Sequence, residues 1–497
     1  METWGGRIKC KMHDLVHDLS RSILGDEISL AVSEKATNCT KICRYFSIME
    51  HTRHLPPKNT FQKARAMYIA ENDDFIFGKA SKNAKHLCSI SVKDVHTSAL
   101  RAILETKNLR YLNILGLKYE TLPEVISDIW SLQALHVISS DLVMLPESIG
   151  KLQKLRVINL SYSLRLTGLL DSIGNCVMIS RIHLFRCHNV AALPSSIGRN
   201  KRLRVLRLGN TKLERLPSSI TALENLECLD LQCCFELEEL PKGIGKLKKL
   251  VVLNLQGCEK LLAIPKGIGQ LTRLETLGLF VMGEDAVNYS QIPELENVNK
   301  ISGELTIRGI ARCMEPDVAH KECLKQKTNL QSLRLIYASN VGVNSENKLE
   351  GLEPPPGIKI LKIVRYSEWI KGLTALQTLE ISSCPDLERR CERRKGKDWH
   401  LTSHIPHLLI GQSDARHHFI WYTRRICIDS FDRGGPMKSS GHHYAAIKQW
   451  VKKHMKNLRL CDGSNCDVFD EGGAEPMIGV GGGQGSRAGT GGGVLML

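Results

Sequence analysis

The stretch KRLRVLRLGNTKLERLPSSITALENLECLDL at 201–231 contains one short phrase twice, RLRVLRL at 202–208 and NLECLDL at 225–231. Both fit L-x-x-L-x-L, with apolar residues at Leu203, Leu206 and Leu208 and again at Leu226, Leu229 and Leu231. The alternation at the end of the phrase is that of a short strand with one buried face. Between the copies lies LPSSI at 216–220, where a proline fixes φ and withholds an N–H, so an extended or 3₁₀-like connector is expected there.

Working outward, the phrase recurs in NLRYLNI, SLQALHV, KLRVINL, VMISRIHL, KLVVLNL and RLETLGL. Its first apolar residue falls at Leu109, Leu132, Leu155, Ile179, Leu203, Leu226, Leu250 and Leu274, in steps of 23 or 24. The proline segment recurs with it as LPEVI at 122–126, LPESI at 145–149, LPSSI at 193–197, LPKGI at 240–244 and IPKGI at 264–268, while LLDSI at 169–173 has lost its proline. A fixed period of this length with this signature is the leucine-rich repeat, each unit a strand, a turn and a return segment. The fold class is therefore an α/β repeat solenoid, a horseshoe in which the leucines of successive units share one core.

The register also accounts for cysteines. Three residues after the last strand leucine stand Ser163, Cys187, Thr211, Cys234, Cys258 and, further on, Cys384. A small polar or thiol side chain at this phase is expected to turn inward and bond the backbone of the next turn, a structural role. The chain holds 17 cysteines, no C-x-x-C and no N-terminal apolar signal segment, which favours reduced thiols over a disulfide scaffold.

After Phe280 the rhythm breaks and resumes in NLQSLRL at 329–335, GIKILKI at 357–363 and ALQTLEI at 375–381. The domain reading is 1–30 as a helical remnant, 31–107 as an N-terminal cap or degenerate repeats, 108–410 as the repeat domain with an irregular insertion at 281–328, and 411–497 as a disordered low-complexity tail. No apolar run is long enough to span a bilayer as a helix. The net charge is +16, and residues 386–460 carry 16 Lys and Arg against 7 Asp and Glu. The run RRCERRKGK at 389–397 could contact phosphates or direct nuclear import, but a solvated edge is the commoner meaning of such a run. No specific nucleic-acid partner is expected.

KMHDLVHDLS at 11–20 places His13 and His17 four apart, on one face of a helix. A zinc-protease helix carries Glu after the first His and needs a third ligand, so no metal site is expected here. KMHDLVHDLSRSI at 11–23, the units of the form LPxxIGxLxxLxxLxL, ISGELTIRGI at 301–310 and CPDLERRCERRKGKDWHLTSHIPHLLI at 384–410 together resemble the plant intracellular nucleotide-binding leucine-rich-repeat (NLR) disease-resistance proteins. In that family Met-His-Asp closes the winged-helix part of the nucleotide-binding (NB-ARC) module, and its His meets the β-phosphate of ADP. The resemblance carries this onto Met12, His13 and Asp14. No G-x-x-x-x-G-K-[ST] occurs in the chain, so the ADP/ATP switch of a full-length relative is expected to be lost, His13 orphaned, and the chain truncated before the Met-His-Asp motif.

The resemblance implies a non-enzymatic plant-defence module, without cofactor, cytoplasmic or with access to the nucleus. Its partner would be a protein: a pathogen effector, a guarded host protein or the N-terminal domains of its own kind. The alternatives are a cytosolic leucine-rich-repeat scaffold or adaptor, and a non-functional truncated product. Recognition is expected on the concave strand face, which includes Tyr111, His136, Asn159, Arg181, His183, Phe185, Arg207, Asp230, Asn254 and Phe280. Within it Asn159, Arg181, His183, Phe185, Arg207 and Asp230 are the candidate partner-binding residues.

Overall fold

The leucines of the template leave solvent together. In the computed structural model Leu109, Leu132, Leu155, Ile179, Leu203, Leu226, Leu250 and Leu274 are all fully buried, and so are Leu112, Leu135, Ile158, Ile182, Leu206, Leu229 and Leu253 three residues further along the template. Each buried side chain is worth about 1.5–3 kcal/mol in apolar area removed from water, so the stacked rows drive the fold. The structure describes residues 2–4, 7–9, 28–31, 44–48, 62–69, 84–95, 97–310, 323–337, 352–363, 373–381, 385–392, 394–396 and 399–410.

The chain divides into two compact units, one of Met1–Ser20 with Ile420–Leu497 and one of Arg21–Phe419. The first contributes the antiparallel pair β1 (Glu2–Trp4) and β2 (Arg7–Lys9). The second holds two parallel sheets. The first sheet runs in chain order through β3 (Ile28–Ala31), β4 (Tyr45–Ile48), β5 (Ala66–Ile69), β6 (Ser89–Lys93), β7 (Tyr111–Leu115), β8 (Ala134–Ile138), β9 (Val157–Asn159), β10 (Arg181–His183), β11 (Val205–Arg207), β12 (Cys228–Asp230) and β13 (Val252–Asn254). A helix, α1 (Thr97–Leu104), returns the chain between β6 and β7. The other sheet runs through β14 (Gly278–Val281), β15 (Gly303–Ile310), β16 (Leu330–Tyr337), β17 (Ile360–Ile363), β18 (Thr378–Ile381) and β19 (His407–Ile410). Strands that follow one another in sequence pair in parallel with a return segment between them, which is the leucine-rich repeat solenoid.

The proline segments are 3₁₀ turns. Pro123, Pro146, Pro194 and Pro217 precede turns at Glu124–Asp128, Glu147–Lys151, Ser195–Arg199 and Ser218–Ala222, each proline extended at φ between −70 and −59. Leu170, in the unit without proline, takes φ −83 and ψ 161 before the same turn at Asp171–Asn175. The packing of Ile173 therefore suffices to set that turn. Successive turns stack closely enough that a Cβ on Gly174 would lie 2.6 Å from the Ser196 carbonyl oxygen, and one on Gly198 2.7 Å from that of Ser219.

Several expectations are corrected. The stretch 281–328 is no plain insertion, because Gly303–Ile310 is a full strand paired with β14 and β16. The described residues of 1–30 form short strands, and Ile28 already belongs to the first sheet, while the helix expected over KMHDLVHDLS at 11–20 lies outside the described residues. Met12, His13, Asp14, His17, Cys384 and all of 411–497 lie outside the described residues. The inward thiols and hydroxyls bond the preceding turn where a neighbouring unit is reached: Cys187 Sγ to Leu160 O at 3.1 Å, Cys234 Sγ to Leu208 O at 3.2 Å, Cys258 Sγ to Leu231 O at 3.2 Å. Thr211 Oγ1 donates within its own unit, to Leu208 O. Burial drives the thiol of Cys187 up to about 12 and that of Cys234 up to about 11, so they stay protonated and act as weak donors.

Candidate functional site

Parallel pairing in register lines the outward strand residues up in rows. One row runs Asn113, His136, Asn159, His183, Arg207, Asp230, Asn254, each the Cα partner of its neighbour. A second runs Tyr111, Ala134, Val157, Arg181, Val205, Cys228, Val252. Neighbours in a row are about 4.8 Å apart, so His183, Arg207 and Asp230 form one strip with Arg181 diagonal to it.

The sequence candidates differ in what they can offer. Arg181 is exposed and makes no ion pair among the described residues. His183 is half-buried, and burial first, then the charges of Arg207, His136 and Arg181, lower its imidazole to about 4. It stands neutral at pH 7, a donor and acceptor rather than a charge. Asp230 has its carboxyl raised by burial, against the pull of the Gln232 N–H, Arg207 and Asn254. Asn159 is only 8% exposed, and its Oδ1 accepts from Ser161 N at 3.1 Å and Ser161 Oγ at 2.7 Å. It holds the strand end more than it faces a partner.

Phe280 is corrected outright: it is fully buried. Gly278 takes φ +74, and the Leu255 N–H is received by Leu277 O instead of the carbonyl one residue on that the neighbouring units use. This one-residue slip turns the following side chains the other way, and Leu279, Val281 and Met282 are buried with Phe280.

A feature the sequence reading missed frames Phe185. One residue per unit leaves the strand in the left-handed region, including Ser139, Tyr162, Arg186, Asn210 and Cys233, at φ between 53 and 64. Their N–H groups bond the next unit, Tyr162 N to Phe185 O at 2.8 Å and Arg186 N to Gly209 O at 2.9 Å. Gly116, Asn210 and Gly257 recur at this phase, and these residue types tolerate φ > 0, which is the signal that was available. The turn places Tyr162 edge-on to Phe185, ring centroids 5.8 Å apart, with the Arg186 guanidinium 5.6 Å from the Tyr162 centroid. The Phe185 ring lies over Gly209, where a Cβ would sit 3.1 Å from Cδ2. An aromatic pair under a guanidinium thus borders the Arg181, His183 and Arg207 strip, an arrangement suited to binding.

Residues 182–389 match the leucine-rich repeat region family. A curated relative from Solanum bulbocastanum, which bears the name disease resistance protein RGA4, is 32% identical over 121 residues, covering 22% of this chain and 12% of that protein. The chain therefore spans about an eighth of the length of that relative. Among solved structures, a leucine-rich repeat protein of Leptospira interrogans is 23% identical at TM-score 0.40, over 66% of this chain and 91% of that one. The functional domain of InlJ from Listeria monocytogenes, described as including a cysteine ladder, is 12% identical at TM-score 0.44, over 65% and 69%. The chain thus has the leucine-rich repeat fold, with a leucine-rich repeat region matched over residues 182–389. Among the described residues no helix is long and apolar enough to cross a membrane, and no three His, Cys, Asp or Glu side chains are grouped to hold a metal ion.

Proposed function

We propose that the chain is a non-catalytic recognition module of plant defence, related to the intracellular NLR resistance proteins, and that it binds a pathogen effector or a host protein through the outward strand face at β9–β12. The reading places it in the cytoplasm, with access to the nucleus. The observation that carries it is the strip of Arg181, His183 and Arg207 bordered by the Tyr162–Phe185 pair. Arg and aromatic side chains in one contiguous patch are the residue types that dominate protein interfaces. The similarity to the Solanum bulbocastanum protein supports the defence part of the reading.

The test is the combined variant Arg181→Ala, Phe185→Ala, Arg207→Ala. These side chains are exposed or half-buried, so the melting profile should be unchanged while partner recovery, or effector-triggered cell death with the variant in a full-length context, is lost. A folded variant that keeps full recognition places the partner elsewhere. The ADP switch of the NLR proteins is read as absent from this chain; calorimetry with ADP should show no saturable heat, and micromolar binding lost in His13→Ala would reverse that part.

A further inference from the structure

One residue after the first leucine of each unit, a row of backbone groups runs along the strand-start lip of the sheet. Gln133 N bonds Arg110 O, Arg156 N bonds Gln133 O, Ser180 N bonds Arg156 O, Arg204 N bonds Ser180 O and Glu227 N bonds Arg204 O, at 2.7–2.8 Å throughout. The spacing of about 4.8 Å per unit puts Arg110, Arg156 and Arg204 on one line at roughly 10 Å intervals, with a small or neutral residue between each pair. All three are exposed. Two rungs beyond Glu227, past Val251, the line reaches Glu275, also exposed. The row therefore changes sign along its length, basic over β7–β11 and acidic beyond.

The opposite, strand-exit lip is balanced. There Arg165 pairs with Glu120 at 2.6 Å, Arg215 with Glu239 at 3.0 Å and Lys260 with Glu236 at 2.5 Å. On the strand-start side Arg110, Arg156, Arg181 and Arg202 make no ion pair among the described residues, and the Arg204–Glu227 contact is long, 3.6 Å, and exposed. Unpaired guanidiniums keep their forked donors free for carboxylates. Half-buried Val157 and Val205 lie one residue inside the line, so a ligand that meets the arginines also meets apolar surface.

We propose that this lip binds an acidic, partly apolar polypeptide segment laid across β7–β11, its carboxylates paired by Arg110, Arg156 and Arg204 and a basic residue meeting Glu227. The segment belongs to the partner of the recognition reading above, and the inference rests on that reading. The sign reversal at Glu227 and Glu275 selects a polypeptide over a nucleic acid: a uniform phosphate chain crossing the sheet would run into two carboxylates, whereas a peptide can change sign in step.

The experiment uses the full chain and three probes followed by fluorescence anisotropy: a short glutamate-rich peptide, its glutamine counterpart, and oligothymidylate. The glutamate peptide should bind, weaken as salt rises, and bind at least ~10-fold more weakly to the Arg110→Ala, Arg156→Ala, Arg204→Ala variant, while the glutamine peptide shows no saturable binding. The Arg110→Glu, Arg156→Glu, Arg204→Glu variant should instead take up a lysine-rich peptide. Equal affinity of wild type and alanine variant for the glutamate peptide overturns the proposal, as does tighter binding of oligothymidylate. If the lip variant keeps the partner that the Arg181, Phe185, Arg207 variant loses, the acidic segment is refuted and the recognition reading stands. Loss of peptide and partner by the lip variant, with retention of the partner by the other, upholds the acidic segment and moves recognition off the strand face.

Discussion

The units from Leu109 to Leu277 and those from Gly278 onward solve the same packing problem differently. In the former, strands β9–β13 are three residues each and the unit length stays at 23 or 24. Its rungs share recurring devices: a buried Leu or Ile pair, a left-handed residue at the strand exit from Gly116 to Gly257, and, in the units of Cys187, Cys234 and Cys258, an inward thiol on the preceding unit's carbonyl. In the latter, β15 and β16 run to eight residues each and are spaced irregularly. Their longer ladders replace the repeated side-chain bonds. A period in the sequence supports short strands, and where the period relaxes, backbone pairing takes over.

Leu206→Ala, at the middle of the regular sheet and fully buried, should cause the largest loss, about 2–5 kcal/mol. Urea unfolding with hydrogen exchange should show protection falling together across β7–β13. A loss confined to β11 would break the picture of one cooperative stack.

Next is Lys327, which belongs to the irregular half and occupies the core position filled by Leu223, Leu247 and Leu271 in the regular one. Its Nζ donates to Leu295 O at 2.6 Å and Asn299 Oδ1 at 3.1 Å, and burial lowers the ammonium to about 8. Lys327→Ala should cost about 2–4 kcal/mol, and Lys327→Met should cost little or stabilise. The sign of the pH effect follows from the depressed value: between about 8 and the ordinary lysine range the unfolded chain binds more protons, so wild-type stability rises with pH there. Lys327→Met should lack that rise in paired urea titrations, and a rise that survives in it would assign the effect to another group.

Smaller is Cys187→Ala, about 1 kcal/mol for one lost thiol contact and a small void. In the native chain Cys187, Cys234 and Cys258 should resist alkylation at pH 8 and react only on unfolding, since all three are buried with thiols raised above the ordinary range. Rapid native labelling of any of them, read by mass spectrometry, would contradict this. Smallest is His183, whose imidazole should titrate near 4 by NMR and move upward in Arg207→Ala, which removes one repelling charge. Its contribution to stability is complete above the ordinary histidine value and is lost as pH falls toward 4.

The regular half was legible because its leucines repeat with the period of the fold, and the proline segments fixed the return turns. Phe280 was misread because one left-handed glycine shifts the alternation, and nothing in RLETLGLF distinguishes Gly278 from an ordinary outward residue. The strand Gly303–Ile310 was hidden by irregular spacing, although ISGELTIRGI carries the alternating Leu305, Ile307 pattern. Within the candidate site, Arg181, His183 and Arg207 fell where the register put them. The role of Asn159 depended on Ser161 two residues on, a local hydrogen bond that spacing between repeats does not report.

Hydrogen exchange of the complex with a recovered partner tests the central claim most directly. Protection should appear in 156–162, 180–186 and 204–210, the stretches that carry Asn159, the Tyr162–Phe185 pair, Arg181 and Arg207, and should be absent from 303–310 and 330–337. Protection confined to β15 and β16, with β9–β12 exchanging as in the free chain, would contradict the assignment of recognition to the regular strand face.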